Sequence, residues 1–415
     1  MPISCEIPES AYAPSPVGYN GGGRGVPSGT GDIGGGEGYS GIVSESEADT
    51  VVSSGDSSQA KQAIDNASPG ETIFLSGGTY VIDDATVTSD GVTIAGNRGA
   101  VTDGSVLATG DGESGGADGA IVKAAGPEGE PITIAANKCR VTGLRVEGPK
   151  PNWEGEAGSN DHYPKGITFK EGYNDCEVDN CEGYAWEQIF FDANGENGHL
   201  HHCYIHDNPG ASGGYGVQSG PQETLTLIEY NYFNRNRHSI AADPDNYGYE
   251  ARYNIFGPEQ YSTSVDQHGP DPAGNTSFVH HNTFEETRAS AESVLDGEIG
   301  SIGVRGKPSN IYEVYKNWFY LAEKSRTIHQ RGEPKVDESD KYDGRPGEGG
   351  FVNMVVRDNS YGQSDPPPDV GARSGLDEQS TGGDGSGGGS GESGGGSTDG
   401  DSTNSSPVQG DAFAS

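Results

Sequence analysis

The sequence predicts an all-β protein, a single-stranded right-handed parallel β-helix, which is a solenoid of about ten coils with disordered Gly/Ser-rich ends. The first observation is a pattern that returns seven times between residues 164 and 361. Its apolar anchors are Ile167, Ile189, Val217, Ile240, Val265, Ile302 and Ile328, and its markers are Cys181, Cys203, Asn231, Asn254, Asn282, Asn317 and Asn359. The first four anchor–marker pairs are each fourteen residues apart. The second observation is the flanking columns. Three residues before each marker stand Val178, Leu200, Ile228, Ala251, Val279, Val314 and Val356; two residues after it come Gly183, Ile205, Phe233, Phe256, Phe284, Phe319 and Tyr361. Such columns need short strands stacked in register, each filling one layer of a shared core. The third observation is negative. Apolar positions alternate locally, and Gly, Asn and Asp interrupt every segment, so a helical reading fails.

Taken in order, residues 1–56 are rich in Gly, Ser and Pro and read as a flexible arm. Residues 57–67 can form a short amphipathic helix through Ala60, Ala63 and Ile64, leading into Thr72-Ile73-Phe74-Leu75 and Gly77-Gly78-Thr79-Tyr80. A cap is needed there, because the first coil would otherwise expose strand edges and apolar side chains. Short, less regular strands follow at Val92-Thr93-Ile94, Ala120-Ile121-Val122, Ile132-Thr133-Ile134 and residues 141–146. The helix domain is thus expected over 57–363, and 364–415 reads as a disordered acidic tail. Insertions gather in one turn, at 148–164 and between Asn282 and Ile302, which builds a wall along one side of the solenoid.

With 63 Asp and Glu against 25 Lys and Arg, the formal net charge is −38. An acidic surface of this kind suits concentrated salt and a halophilic, haloarchaeal origin. No basic stripe exists to neutralise phosphates, so nucleic acid is excluded as a partner. An anionic polymer is repelled only in dilute salt, since molar salt screens charge within about 3 Å. Cys181 and Cys203 share a column on successive coils, about 4.8 Å apart, which is long for a relaxed disulfide and favours interior thiols. No transmembrane stretch appears, and residues 1–43 lack the basic and apolar regions of a signal peptide. An extracellular, virion or cell-surface location is nevertheless favoured, with the cytoplasm as the alternative.

The columns, with their asparagines beside stacked aromatics, resemble the right-handed parallel β-helix of the pectin-lyase-like superfamily over roughly residues 71–362. The resemblance implies a fold that hosts lyases, hydrolases, tailspikes and adhesins. It also implies a groove on the outer face of the family's first parallel sheet, which here holds the anchors, beside the insertion-rich turn.

If the anchors point inward, residues one and three positions later point outward. The three-later column reads Lys170, Asp192, Gly220, Asp243, His268, Arg305 and Arg331; the one-later column includes Gln218, Asp266 and His329. This strip concentrates cations in a chain that has few, which favours a binding groove over a solvated face. For β-elimination on a uronic acid glycan, His268, Arg305, Arg331 and Lys170 would supply the base and a carboxylate clamp, while Asp192, Asp243 and Asp266 would hold Ca²⁺. For inverting glycoside hydrolysis, Asp243 and Asp266 lie on neighbouring coils, roughly 8 Å apart. The third reading is glycan binding without turnover, as in a surface or tailspike-like protein. Lys170, Asp192, Gln218, Trp153 and His329 are expected to contact the glycan, with Trp153 stacking on a sugar ring. The Arg-x-Pro-x-x-Arg signature of classical pectate lyases is absent, as are the Asp-Asp and Gly-His-Gly of polygalacturonases. The second departure weighs against the hydrolase. His238 reads as a structural turn residue, and His199, His201, His202 and His206 as a decorated strand with His202 facing inward.

Overall fold

The computed structural model describes residues 33–36, 39–99, 119–149, 163–208, 213–220, 223–244, 248–269, 271–286, 300–332 and 343–372. Three long sheets run the length of the molecule, of eleven, ten and ten strands, and each coil contributes one strand to each. Among the described residues every strand pairing is parallel except that of Ile328–Arg331 with Asp343–Gly344, which ends one of the ten-stranded sheets. The chain is a parallel β-helix.

The inward columns follow the pattern in the sequence. Val178, Leu200, Ile228, Ala251, Val279, Val314 and Val356 are consecutive partners in the ladder sheet, which runs from Thr50–Val52 to Met354–Arg357. Phe233, Phe256, Phe284 and Phe319 are fully buried and stack at centroid spacings of 5.3, 4.4 and 4.7 Å in the second, aromatic sheet.

The corner between these two sheets is sharp, and its backbone shows why. The residue before every marker (Asn180, His202, Tyr230, Tyr253, His281, Lys316, Asp358) adopts a left-handed conformation, with φ between 50° and 54°. For a residue with a Cβ that costs about 1–2 kcal/mol. The asparagine that follows offsets it. Asn254 Oδ1 accepts from both Asn231 N and Asn231 Nδ2 at 3.0 Å, while Asn254 Nδ2 donates to the Ile228 carbonyl at 2.8 Å. The same set repeats at Asn282, Asn317 and Asn359. Cys203 continues the ladder as a thiol: Cys203 N donates to Asn231 Oδ1 at 2.9 Å, and Cys203 Sγ accepts from Cys181 N. Cys139, Cys176, Cys181 and Cys203 are all buried and unbridged.

The helix Ser57–Asp65 caps the first coil, with Ala60 and Ile64 buried and the Asp56 side chain accepting from Gln59 N. The expected arm is shorter than 1–56, because Thr50–Val52 is already a strand of the ladder sheet. Before it, residues 33–36 and 39–41 lie across the ladder corner. Gly34 N donates to the Tyr230 carbonyl, Gly36 N to Asn180 Oδ1, and Tyr39 OH to Asp179 Oδ2. Ile33 and Tyr39 are buried, which explains the docking: the segment carries its own apolar residues. Val370 and Ala372 are also buried, so the chain stays packed beyond the expected boundary at 363.

One column departs from the sequence reading. In the third, anchor sheet the partner of Ile167 and Val217 is Phe191, not Ile189. Ile189 instead pairs with Lys165 and Tyr215 and packs outside the sheet against Tyr215 and Ala241. As the chain rounds the corner into this sheet, two successive residues face inward: Phe190 fills the space beside Gly183 while Phe191 joins the core.

Candidate functional site

The shift in register moves Asp192 next to Thr168 and Gln218, one residue after the anchor column rather than three. There it is buried, and Lys165 Nζ lies 2.6 Å from its Oδ2. Asp192 is therefore committed to an internal ion pair and does not line an open groove.

Four successive coils bring most of the expected strip together. Gln218 Nε2 donates to Asp243 Oδ2 at 2.7 Å, and His268 Nδ1 lies 3.2 Å from Asp243 Oδ1. His268 Nε2 lies 3.1 Å from Asp266 Oδ2, and Arg305 Nε donates to Asp266 Oδ1 at 3.0 Å, with its Nη2 on Oδ2. Asp243 sits just past its strand, where Gln267 Nε2 holds its carbonyl at 3.1 Å. Gly269 allows Arg305 to approach, since a Cβ there would overlap the Arg305 carbonyl. Exposure grades across the network: side chains are 43% accessible at Asp243, 23% at Arg305 and 17% at His268, against 1% at Asp266. The rim is therefore wet and the floor dry.

That grading fixes the electrostatics. Burial alone would raise the Asp266 carboxyl, but His238, His268 and Arg305 around it outweigh burial and hold it far below the usual range. Burial likewise opposes a charge on His268, yet its bonds to Asp243 and Asp266 prevail and push it up to about 9. His268 is a cation at neutral pH, so the general-base role expected for it does not suit its resting state. Asp266 has both oxygens engaged by protein groups and cannot serve as one of two carboxylates flanking a sugar. This removes the Asp243–Asp266 hydrolase pair. The three acids expected to share Ca²⁺ do not converge either, since Asp192 is held by Lys165 and His268 stands between Asp243 and Asp266.

The remaining expected residues lie apart from this network. Lys170 is exposed at the end of its strand, and Arg331 is exposed on the last coil. His329 is two coils beyond Asp266, with Gly303 between them, and contacts Asp343 at 2.9 Å. Trp153 and most of the insertion wall, at 150–162 and 287–299, lie outside the described residues.

Three members of the site were not expected. His238 is fully buried, with Nε2 3.0 Å from Asp266 Oδ2 and Nδ1 2.7 Å from the Thr263 carbonyl. Tyr215 lies over both imidazoles, with centroids 5.4 Å from His238 and 5.7 Å from His268, and Arg237 Nη1 donates to its hydroxyl at 3.3 Å. All three come from the stretch before the anchors, two residues before for His238 and Tyr215 and three for Arg237, where the chain rounds the corner into the sheet. A further carboxyl, Glu286, is buried and accepts from Ser264 Oγ, while its Oε2 has no partner among the described residues; burial pushes it up to about 7. On the ladder sheet, His199 and His201 face outward onto Glu229 and Glu177 as expected. His202 does not face inward. It occupies the left-handed corner, stacked on Tyr230 at 5.0 Å.

The chain was compared with known proteins. No family model matches it, and no curated protein does. Among solved structures it is similar to an alginate lyase from a Paenibacillus species, at 12% identity and a TM-score of 0.36, over 75% of this chain and 95% of that one. It is also similar to the Dettilon tailspike protein, at 11% identity and a TM-score of 0.34, over 75% of this chain and 67% of that one.

Proposed function

We propose that the outer face of the anchor sheet binds a polysaccharide and that the protein is a lyase acting on a uronic acid glycan. The observation that carries this reading is the run Gln218–Asp243–His268–Asp266–Arg305 over successive coils, with cations and one carboxylate at its wet rim. In β-elimination a base takes the C5 proton, the electrons pass toward the uronate carboxylate, and the C4–O bond breaks as its oxygen is protonated. Asp243, the most exposed member and oriented by Gln218 and His268, is placed to be the base. Arg305 and the His268 imidazolium stand where the carboxylate charge must be met, and His268 carries a proton for the leaving oxygen. Lys170, Arg331 and Trp153 would extend the contact along the chain of sugars.

The test is incubation with a panel of uronic acid polymers in molar salt, with and without Ca²⁺, following absorbance of the unsaturated product. Absence of signal on every polymer would remove the lyase reading. A second reading, binding without turnover as in a surface or virion protein, draws on the pairing of Arg305 and His268 with internal carboxylates, which leaves less charge for a transition state. Replacing His268 or Arg305 by Ala would abolish turnover in a lyase, but in a binder it would only weaken affinity. Either reading fits an extracellular or virion-borne member of the pectin-lyase-like superfamily from a saline habitat.

A further inference from the structure

His238 Nε2, Asp266 Oδ2 and His268 Nε2 converge beneath the rim of the strip, all within 4.8 Å of one another. The Thr263 carbonyl, 2.7 Å from His238 Nδ1, can only accept, so Nδ1 carries the ring proton. His238 Nε2 is fully buried and forms no hydrogen bond among the described residues, although Asp266 Oδ2 is 3.0 Å away. With the proton on Nδ1, Nε2 turns a bare lone pair toward a carboxylate oxygen, which is costly in a dry site. A cation between them removes the conflict. Its own spacing supports this. Tetrahedral bonds of about 2.1 Å place neighbouring ligand atoms about 3.4 Å apart, and the two imidazole nitrogens lie 3.0 and 3.1 Å from Asp266 Oδ2, a little closer than the seated ion would hold them.

We propose that His238, Asp266 and His268 bind a divalent first-row transition ion of the Zn²⁺ class. Two imidazoles and one carboxylate suit such an ion, whereas Ca²⁺ and Mg²⁺ take oxygen ligands. The supporting shell is of the kind metal-binding histidines use: Nδ1 of His238 on a backbone carbonyl, and Nδ1 of His268 on the Asp243 carboxylate at 3.2 Å. Arg305 Nε on Asp266 Oδ1, at 3.0 Å, and Arg305 Nη2 on Oδ2 orient the carboxylate, and the ion would share Oδ2 through its second lone pair. His268 is the partly exposed ligand, so the remaining coordination position faces the rim. The second cluster with suitable side chains, Glu177, Asp179 and His201, differs. There both ring nitrogens of His201 have partners, Nε2 at 3.0 Å from Glu177 Oε1 and Nδ1 at 2.8 Å from His202 Nδ1, so no bare nitrogen calls for an ion. With the ion bound, His268 is neutral and keeps its one proton on Nδ1 toward Asp243, so the charge offered to a glycan there is then the ion's rather than an imidazolium's; binding of the ion itself does not depend on cleavage of a glycan.

The experiment uses the full chain, stripped with chelator and titrated with Zn²⁺ by calorimetry, and with Co²⁺ by visible absorption. We expect one saturable equivalent and ligand-field bands typical of nitrogen and oxygen donors. His268→Ala should lower affinity at least ~100-fold and Asp243→Ala at least ~10-fold, with His201→Ala unchanged. If His268→Ala does not fold, His268→Gln at this partly exposed position gives the same comparison. No saturable binding by the wild type, binding unaltered by the His268 variants, or equal loss in His201→Ala would each overturn the site.

Discussion

Asp266 is the most heavily committed side chain of the strip, buried against one guanidinium and two imidazoles. Such a carboxylate is expensive to remove, because its partners stay behind as unpaired buried groups. Asp266→Asn is expected to cost about 3–5 kcal/mol of unfolding free energy, and chemical denaturation followed by circular dichroism will measure it. Glu286 makes the opposite case. Its folded value of about 7 lies above the ordinary carboxyl value of 4.5. The stability tied to the protonated form is therefore complete below that ordinary value and is lost as pH rises through 7. Glu286→Gln should thus melt higher than the wild type at pH 8.5 and about level with it at pH 4; a thermal scan across pH decides. The sequence made Asp243, Asp266, His268 and Arg305 legible, because their spacing from an inward anchor is set by strand alternation alone. It could not reveal His238 and Tyr215, whose outward aim depends on the bend of a corner, nor that the strip's cations have internal partners.

At the scale of the coil, the ladder and the aromatic stack divide the work. Asn254 satisfies two donors of the coil below and spends its own amide hydrogens on Ile228 and Asn282. Asn254→Ala strands these groups in a dry interior, at about 1–3 kcal/mol each where water cannot replace the partner. Cys203→Ala removes only weak sulfur hydrogen bonds, one accepted from Cys181 N and two donated to the Val178 and His201 carbonyls, and should cost clearly less, so paired urea titrations test the ranking. Both columns were readable because the inner face accepts only apolar side chains or carboxamides that bond along the stack. The anchor column was readable except at Ile189-Phe190-Phe191, where three apolar residues in a row leave the register open until packing against Gly183 and Tyr215 chooses it.

Across the whole molecule, a net charge of −38 repels itself over a Debye length of about 10 Å at 0.1 M salt and about 3 Å at 1 M. The melting temperature is therefore expected to rise steadily as KCl goes from 0.1 to 2 M, and a flat profile would argue against adaptation to brine. In a solenoid each coil touches only its neighbours, so loss of structure tends to travel one coil at a time. The stretches at residues 33–36 and 39–41 change that arithmetic. They are fastened to Arg98, Arg140, Asp179 and Asn180, lie beside His202, and reach the Tyr230 carbonyl, thereby crossing five successive turns. A tie-bar of this kind makes five coils melt as one body. Fraying that starts at the capped end must release the bar before it can spread, so this part of the rod should come apart abruptly, while the far end peels.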